Sequence, residues 1–175
     1  MDNTGYSIVK DADGRSIVEN HDIRFKGKRQ IDWEEVQKYL LQYIGQFYEI
    51  ADTKDIVYIG KDFPDEYSGS NDTARLQGTL AKAKANAAQG LPQLIETAVN
   101  KRFKENLAQK HDKDASMGWY RYTARFALPV YGDDGEVYRY NVFRIEILIR
   151  QTGDGKMYLY DLVNIKKETS TPLES

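Results

Sequence analysis

The sequence contains no cysteine. That removes disulfide staples, thiolate nucleophiles and cysteine-type zinc sites together. Only two histidines are present, His21 and His111, so neither a metal site nor a cofactor is expected. No apolar run approaches the ~20 residues that a membrane-spanning helix needs, and no secretory leader pattern opens the chain. A cytoplasmic protein with no membrane partner is the expectation. No Gly-rich loop leads into Lys-Ser/Thr, which excludes P-loop nucleotide hydrolysis. Ser68-Gly69-Ser70 lacks the strand–turn–helix setting of a hydrolase nucleophile. Asp11-Ala12-Asp13-Gly14 lacks the third ligand and the closing glutamate of a calcium loop and reads as a turn.

What is present is an ordinary globular balance with many tyrosines: 41% hydrophobic, 30% charged and 12% aromatic, with thirteen tyrosines in 175 residues. That length suffices for one domain with a real core. Net charge is only −2 but unevenly spread. Residues 1–72 carry nine basic and fifteen acidic side chains, and residues 73–111 carry seven basic and two acidic. A basic block inside an acidic chain is compatible with a phosphate-bearing partner; on charge alone, a pair of solvated helix faces is the preferred reading.

Residues 1–30 read as an N-terminal hairpin or extended arm. A helix begins at Asp32, with an N-cap aspartate, Glu35 three residues on, and Trp33, Val36, Leu40, Tyr43 and Ile44 at helical spacing. Short strands are expected near 47–50 and 55–60, and a loop over 61–70. Residues 73–89, rich in alanine, predict a second helix. A third opens near Pro92 and carries Lys101, Arg102 and Lys104 in its last turns, where cations complement the helix dipole. Three segments of β-branched and aromatic residues, 118–130, 137–151 and 156–167, are divided by Gly/Asp turns and predict an antiparallel meander. Residues 168–175 read as a linker or tail. The resulting fold class is α+β: N-terminal helices on one face of an antiparallel sheet within a single domain over 31–167.

Alternation sorts the meander into two faces. Tyr120, Tyr122, Ala124, Phe126 and Leu128 share one face with Phe143, Ile145, Ile147 and Ile149. Trp119, Arg121, Thr123 and Arg125 share the other with Arg144, Glu146 and Arg150. Pairing Val130 with Val137 would set Arg121 against Glu146 and Thr123 against Arg144. The third strand stays open: one register brings Asp161 to the arginine face, the other Tyr160, Asn164 and Lys166.

Arginines, a carboxylate, tyrosines and one histidine are the parts for cleaving an RNA phosphodiester. A 2′-hydroxyl must lose a proton, the leaving 5′-oxygen must gain one, and the phosphorane charge must be stabilised. His111, Glu146 or a tyrosine would move protons, and Arg121, Arg125 and Arg144 would hold phosphate. Lys104 and Lys166 would assist in nucleic-acid binding, and Tyr120 and Tyr160 would stack bases. The plainer alternative is a surface salt-bridge ladder worth under about 1 kcal/mol a pair.

The run Asp55-Ile-Val-Tyr-Ile-Gly-Lys-Asp-Phe-Pro-Asp-Glu-Tyr-Ser-Gly-Ser, the stretch Leu80-Ala-Lys-Ala-Lys-Ala-Asn-Ala and the segment from Gly118 to Val130 resemble large polyvalent protein-associated domains of phages and mobile elements. So do Lys110-His111 and Tyr160-Asp-Leu-Val-Asn-Ile-Lys-Lys-Glu-Thr. The third type of such domain, grouped with barnase–EndoU–colicin E5/D–RelE-like nucleases, is the nearest in kind, over roughly 31–172. The resemblance implies helices followed by a four-stranded antiparallel sheet, metal-free RNase activity, and service as one module of a larger polyprotein. It implies no particular catalytic residues. The alternative is a non-catalytic nucleic-acid- or protein-binding module of such a polyprotein.

Overall fold

The computed structural model describes residues 5–27, 30–104 and 118–172. Two strands come first, β1 (Tyr6–Lys10) and β2 (Ser16–Asn20), closed by the Asp11 turn. Asp11 Oδ1 accepts the backbone N–H groups of Asp13 and Arg15, each at 2.9 Å, so the motif is a self-satisfied turn. α1 (Trp33–Leu40) starts at the expected cap, where the Asp32 side chain accepts the Glu35 N–H. Val36 and Leu40 are its buried positions. A 3-10 turn (Leu41–Tyr43) leads to β3 (Phe47–Glu49) and β4 (Ile56–Tyr58).

Residues 61–70, expected as a loop, contain α2 (Phe63–Gly69), with Pro64 in its first turn and Phe63, Pro64 and Tyr67 buried. Proline is tolerated there because that N–H has no helical acceptor. The expected helix over 73–89 is broken in two: α3 (Asn71–Arg75) and α4 (Gly78–Ala87). Gly78 takes φ +57° at the joint, a conformation costly for any other residue. A second 3-10 turn (Ala88–Gly90) then joins α5 (Leu91–Glu96).

The third helix does not reach the basic residues. α5 ends at Glu96, and residues Val99–Lys104 form β5. Asn100 at φ 61° lies at a bulge in this strand, and pairing with the neighbouring edge replaces helical bonds. Lys101 and Arg102 are therefore strand residues, not cations at a helix end.

The meander is present as three long strands, β6 (Gly118–Tyr131), β7 (Val137–Gln151) and β8 (Met157–Pro172). β8 continues through residues 168–172, read from sequence as tail, and Tyr140↔Thr171 and Arg139↔Pro172 pair there. The sheet runs β1-β2-β6-β7-β8-β4-β3, with β5 adding to the edge of β6. It is mixed, because β2 pairs parallel with β6 and β4 pairs parallel with β8. The α+β class stands. The helices-first order and the purely antiparallel sheet do not, because the N-terminal hairpin buries Val18 against the sheet instead of hanging free.

The sheet is curled, and α4 packs against its strands β6 and β8 with Ala81, Ala83, Ala85 and Ala87 all buried. Small side chains let the strands come close to that helix. Asn86 serves the same end: its Oδ1 accepts the N–H groups of Arg24 and Phe25, and its Nδ2 donates to the Phe25 carbonyl. The connector after β2 is thereby fixed to the central helix. The helices and core lie on the inner face, with Tyr122, Phe126, Phe143, Ile145, Ile147 and Ile149 essentially inaccessible. The outer face carries the charged side chains.

Candidate functional site

The two expected faces are the two observed ones, but the register between β6 and β7 is offset by two residues. Tyr131 pairs with Val137 and Val130 with Arg139, leaving Tyr138 as a bulge. Arg125 therefore stands opposite Arg144, and Thr123 opposite Glu146. A two-residue offset preserves side-chain parity, so the outer face keeps its members while their neighbours change.

Glu146 is the centre of that face. Arg121 Nη1 donates to its Oε1 at 2.8 Å, Arg102 Nη2 lies 3.3 Å from its Oε2, and Asn164 Nδ2 donates to Oε1 at 2.8 Å. Arg102 also donates to the Thr123 hydroxyl at 3.2 Å. Four strands contribute to this cluster: β5, β6, β7 and β8. The side chains of Arg121, Arg102 and Glu146 are 33%, 37% and 25% exposed, so the group is accessible without being fully solvated. Partial burial pushes the Glu146 carboxyl up. The hydrogen bonds from Asn164 and Arg121, and the charges of Arg121 and Arg102, outweigh it and hold the pKa below the ordinary glutamate value.

Two residues along β7, a row of cations crosses the sheet: Arg125, Arg144 and Lys166 are successive cross-strand neighbours. Arg125 is clasped by Glu168, with Nε to Oε1 at 2.7 Å. Arg144 and Lys166 have no ion-pair partner among the described residues. Like charges placed directly opposite repel, so such a row favours an anion laid across it.

Bulges in β8 settle the third strand. The register with β7 shifts between Leu159 and Asp161, at Tyr160, and again between Val163 and Lys166, around Asn164, which adopts φ 54°. Tyr160 packs edge-on against Trp119 at 4.9 Å between ring centroids, and Asn164 and Lys166 also reach the arginine face. A cleft of about 300 Å³ beside Tyr160 is lined by Gly60, Phe63, Arg150 and Leu159 among others. Asp161 turns inward instead. It is 2% exposed, and its Oδ1 meets Lys84 Nζ at 3.0 Å. Lys84, wholly buried on α4, also meets Asp72 Oδ2 at 3.2 Å and lies over the Tyr67 ring. Burial pushes the Asp161 carboxyl up to about 6 despite the nearby Lys84 charge and the hydrogen bonds it accepts.

Tyr120 lies on the inner face, away from the arginines. It packs on Phe103 at 5.1 Å and under the Lys101 ammonium at 4.6 Å. Lys101 in turn meets Asp55 at 2.9 Å, where the Tyr122 hydroxyl also donates. Strand parity alone separates Tyr120 from Arg121. His111 and the Lys104 side chain lie outside the described residues. The structure thus brings Arg121 to Glu146, and Arg125 to Arg144 and Lys166, with Tyr160 on the same face.

Sequence reasoning missed Arg102 and left Asn164 undecided. The alternation Val99-Asn-Lys-Arg-Phe-Lys was the available signal for Arg102. Among the described residues no group of three or more His, Asp or Glu side chains is arranged to hold a metal ion, and no helix is long and apolar enough to cross a membrane. Compared with known protein families, curated proteins and solved structures, the chain matches none.

Proposed function

We propose that this chain is a metal-independent RNase-like domain, acting as one module of a phage or mobile-element polyprotein. The observation that carries the reading is the outer face itself: an ionised carboxylate beside a cross-strand row of cations, two of them without an ion-pair partner among the described residues. Phosphate would lie across Arg144 and Lys166 with its ribose toward Glu146, while Arg125, 9% exposed and held by Glu168, backs the row from beneath. Glu146 accepts the 2′-hydroxyl proton, and the 2′-oxygen attacks phosphorus. The P–O5′ bond breaks, leaving a 2′,3′-cyclic phosphate and a 5′-hydroxyl. Arg121 and Arg102 meet the charge that develops on the phosphoryl oxygens. His111 is the proposed donor to the leaving oxygen. Tyr160, held edge-on by Trp119, is the proposed platform for a neighbouring base. The sequence resemblance points to the same activity.

The test is to incubate the purified chain with a structured RNA, with and without EDTA, beside a Glu146→Gln control. Cleavage in both conditions and its loss in the control is expected. Cleavage no greater than the control refutes catalysis. A second reading, a non-catalytic nucleic-acid-binding module, is favoured by the fact that Glu146 already occupies Arg102 and Arg121. Salt-sensitive binding without cleavage would select it.

A further inference from the structure

Asn164 is one of three non-glycine residues with positive φ among the described residues. The left-handed conformation costs about 1–2 kcal/mol and persists where neighbours hold it. Here it is held from two sides. The side-chain Nδ2 donates to Glu146 at 2.8 Å, and the backbone N–H reaches Asp72 Oδ1 at 3.5 Å. The other Asp72 oxygen faces the buried Lys84 ammonium at 3.2 Å, which is anchored again by Asp161 at 3.0 Å. Asp72 sits in the first turn of α3, whose start is fixed by the Ser70 hydroxyl accepting the Thr73 N–H at 3.1 Å. A continuous polar chain therefore runs Lys84, Asp72, Asn164, Glu146, from the inside of the fold to its outer face.

We infer that Asp72 is a positioning residue for the Glu146 site: anchored on Lys84, it holds Asn164 in the backbone conformation that aims the amide at Glu146. The inference rests on Glu146 being the functional carboxylate, but its physical content is readable without RNA. If Asp72 were only the second counter-ion of Lys84, its removal would lower stability and leave Glu146 unaffected.

The experiment follows the Glu146 side-chain carboxyl by ¹³C NMR through a pH titration in wild type, Asp72→Ala, Asn164→Gly and the double variant. Glycine accepts the positive φ but has no Nδ2 to donate. Both single variants are expected to move the Glu146 midpoint upward, toward the ordinary glutamate value. The double variant is expected to move it no further than Asn164→Gly alone, because both changes act through one amide. In wild type, the Asn164 backbone amide is expected to exchange slowly with solvent, as a donor held by Asp72 Oδ1 does. This measurement needs no variant and decides the matter if Asp72→Ala does not fold. An unmoved Glu146 midpoint in folded Asp72→Ala, full additivity in the double variant, or a wild-type Asn164 amide that exchanges freely with solvent overturns the inference. A chain that shows the coupling yet cuts no RNA refutes the proposed function alone; cleavage without coupling refutes the inference alone.

Discussion

Glu146 and Asp161 stand on adjacent strands and each faces a cation within about 3 Å, yet their carboxyls are pushed in opposite directions. Glu146 has two arginines and an amide and keeps a quarter of its side chain in water. Asp161 has one lysine, is 2% exposed, and shares that lysine with Asp72. Counting ion pairs would rank the two clusters alike. Desolvation separates them: inside, it outweighs a single counter-ion, while at the surface two guanidiniums and an amide outweigh it. The inner cluster serves stability, the outer one is the proposed site, and Asn164 with Asp72 is where they touch.

The sharpest way to break this contrast is Lys84→Met. It leaves two carboxylates facing a wholly buried, now apolar site, and a loss of about 3–5 kcal/mol is expected from denaturant unfolding. A loss under about 1 kcal/mol would mean that water reaches the inner cluster. A smaller effect comes from pH. Burial raises the folded pKa of Asp161 to about 6, above the ordinary aspartate value of 3.8, so the folded state binds the extra proton between them. The stability this group contributes is fully present below 3.8 and is lost as pH rises through about 6. Its full span is roughly 3 kcal/mol. Glu146, with a lowered pKa, has the opposite sign: its contribution is present above the ordinary glutamate value and is lost as pH falls through the folded one. Unfolding curves from pH 4 to 7 should therefore lose a component in Asp161→Asn that they keep in Glu146→Gln.

On the outer face, Arg144→Ala and Lys166→Ala should each weaken binding of a non-cleavable RNA without preference for sequence. Each should also reduce the steepness of the log–log salt dependence by about one. An unchanged salt slope would remove the cation row from the binding site. The smallest effect belongs to Arg121→Ala, whose partly exposed ion pair should change folding stability by less than about 1 kcal/mol. A larger loss in thermal unfolding would place Arg121 with the inner cluster and erase the distinction.

Face membership was legible in the sequence because period-two alternation over 118–130 and 137–151 is long and clean. Register was not: the bulge at Tyr138 is a turn-side adjustment that the alternation of β7 does not announce. Arg102 was hidden because Leu94, Ile95, Ala98, Val99 and Phe103 also fit helical spacing, and only the β6 edge decides in favour of a strand. Lys84 looked solvated inside an alanine run. Its burial follows from α4 packing against β6 and β8 of a curled sheet, which no local pattern encodes. The side on which Tyr160, Asp161 and Asn164 lie depended on two bulges in β8, so strict alternation could only leave alternatives. α2 carried a readable sign, Pro64 directly after Phe63, but the surrounding Gly and Ser favoured a loop.

The most direct test of the proposed site uses one short RNA and its twin with a single 2′-deoxy sugar at the cleaved position, both in EDTA, with the product ends identified. If Glu146 takes the 2′-hydroxyl proton, the RNA is cut to a 2′,3′-cyclic phosphate and a 5′-hydroxyl, the deoxy twin survives, and Glu146→Gln slows cleavage by about 100-fold or more. Cutting of the deoxy twin, or wild-type rates from Glu146→Gln, would contradict it.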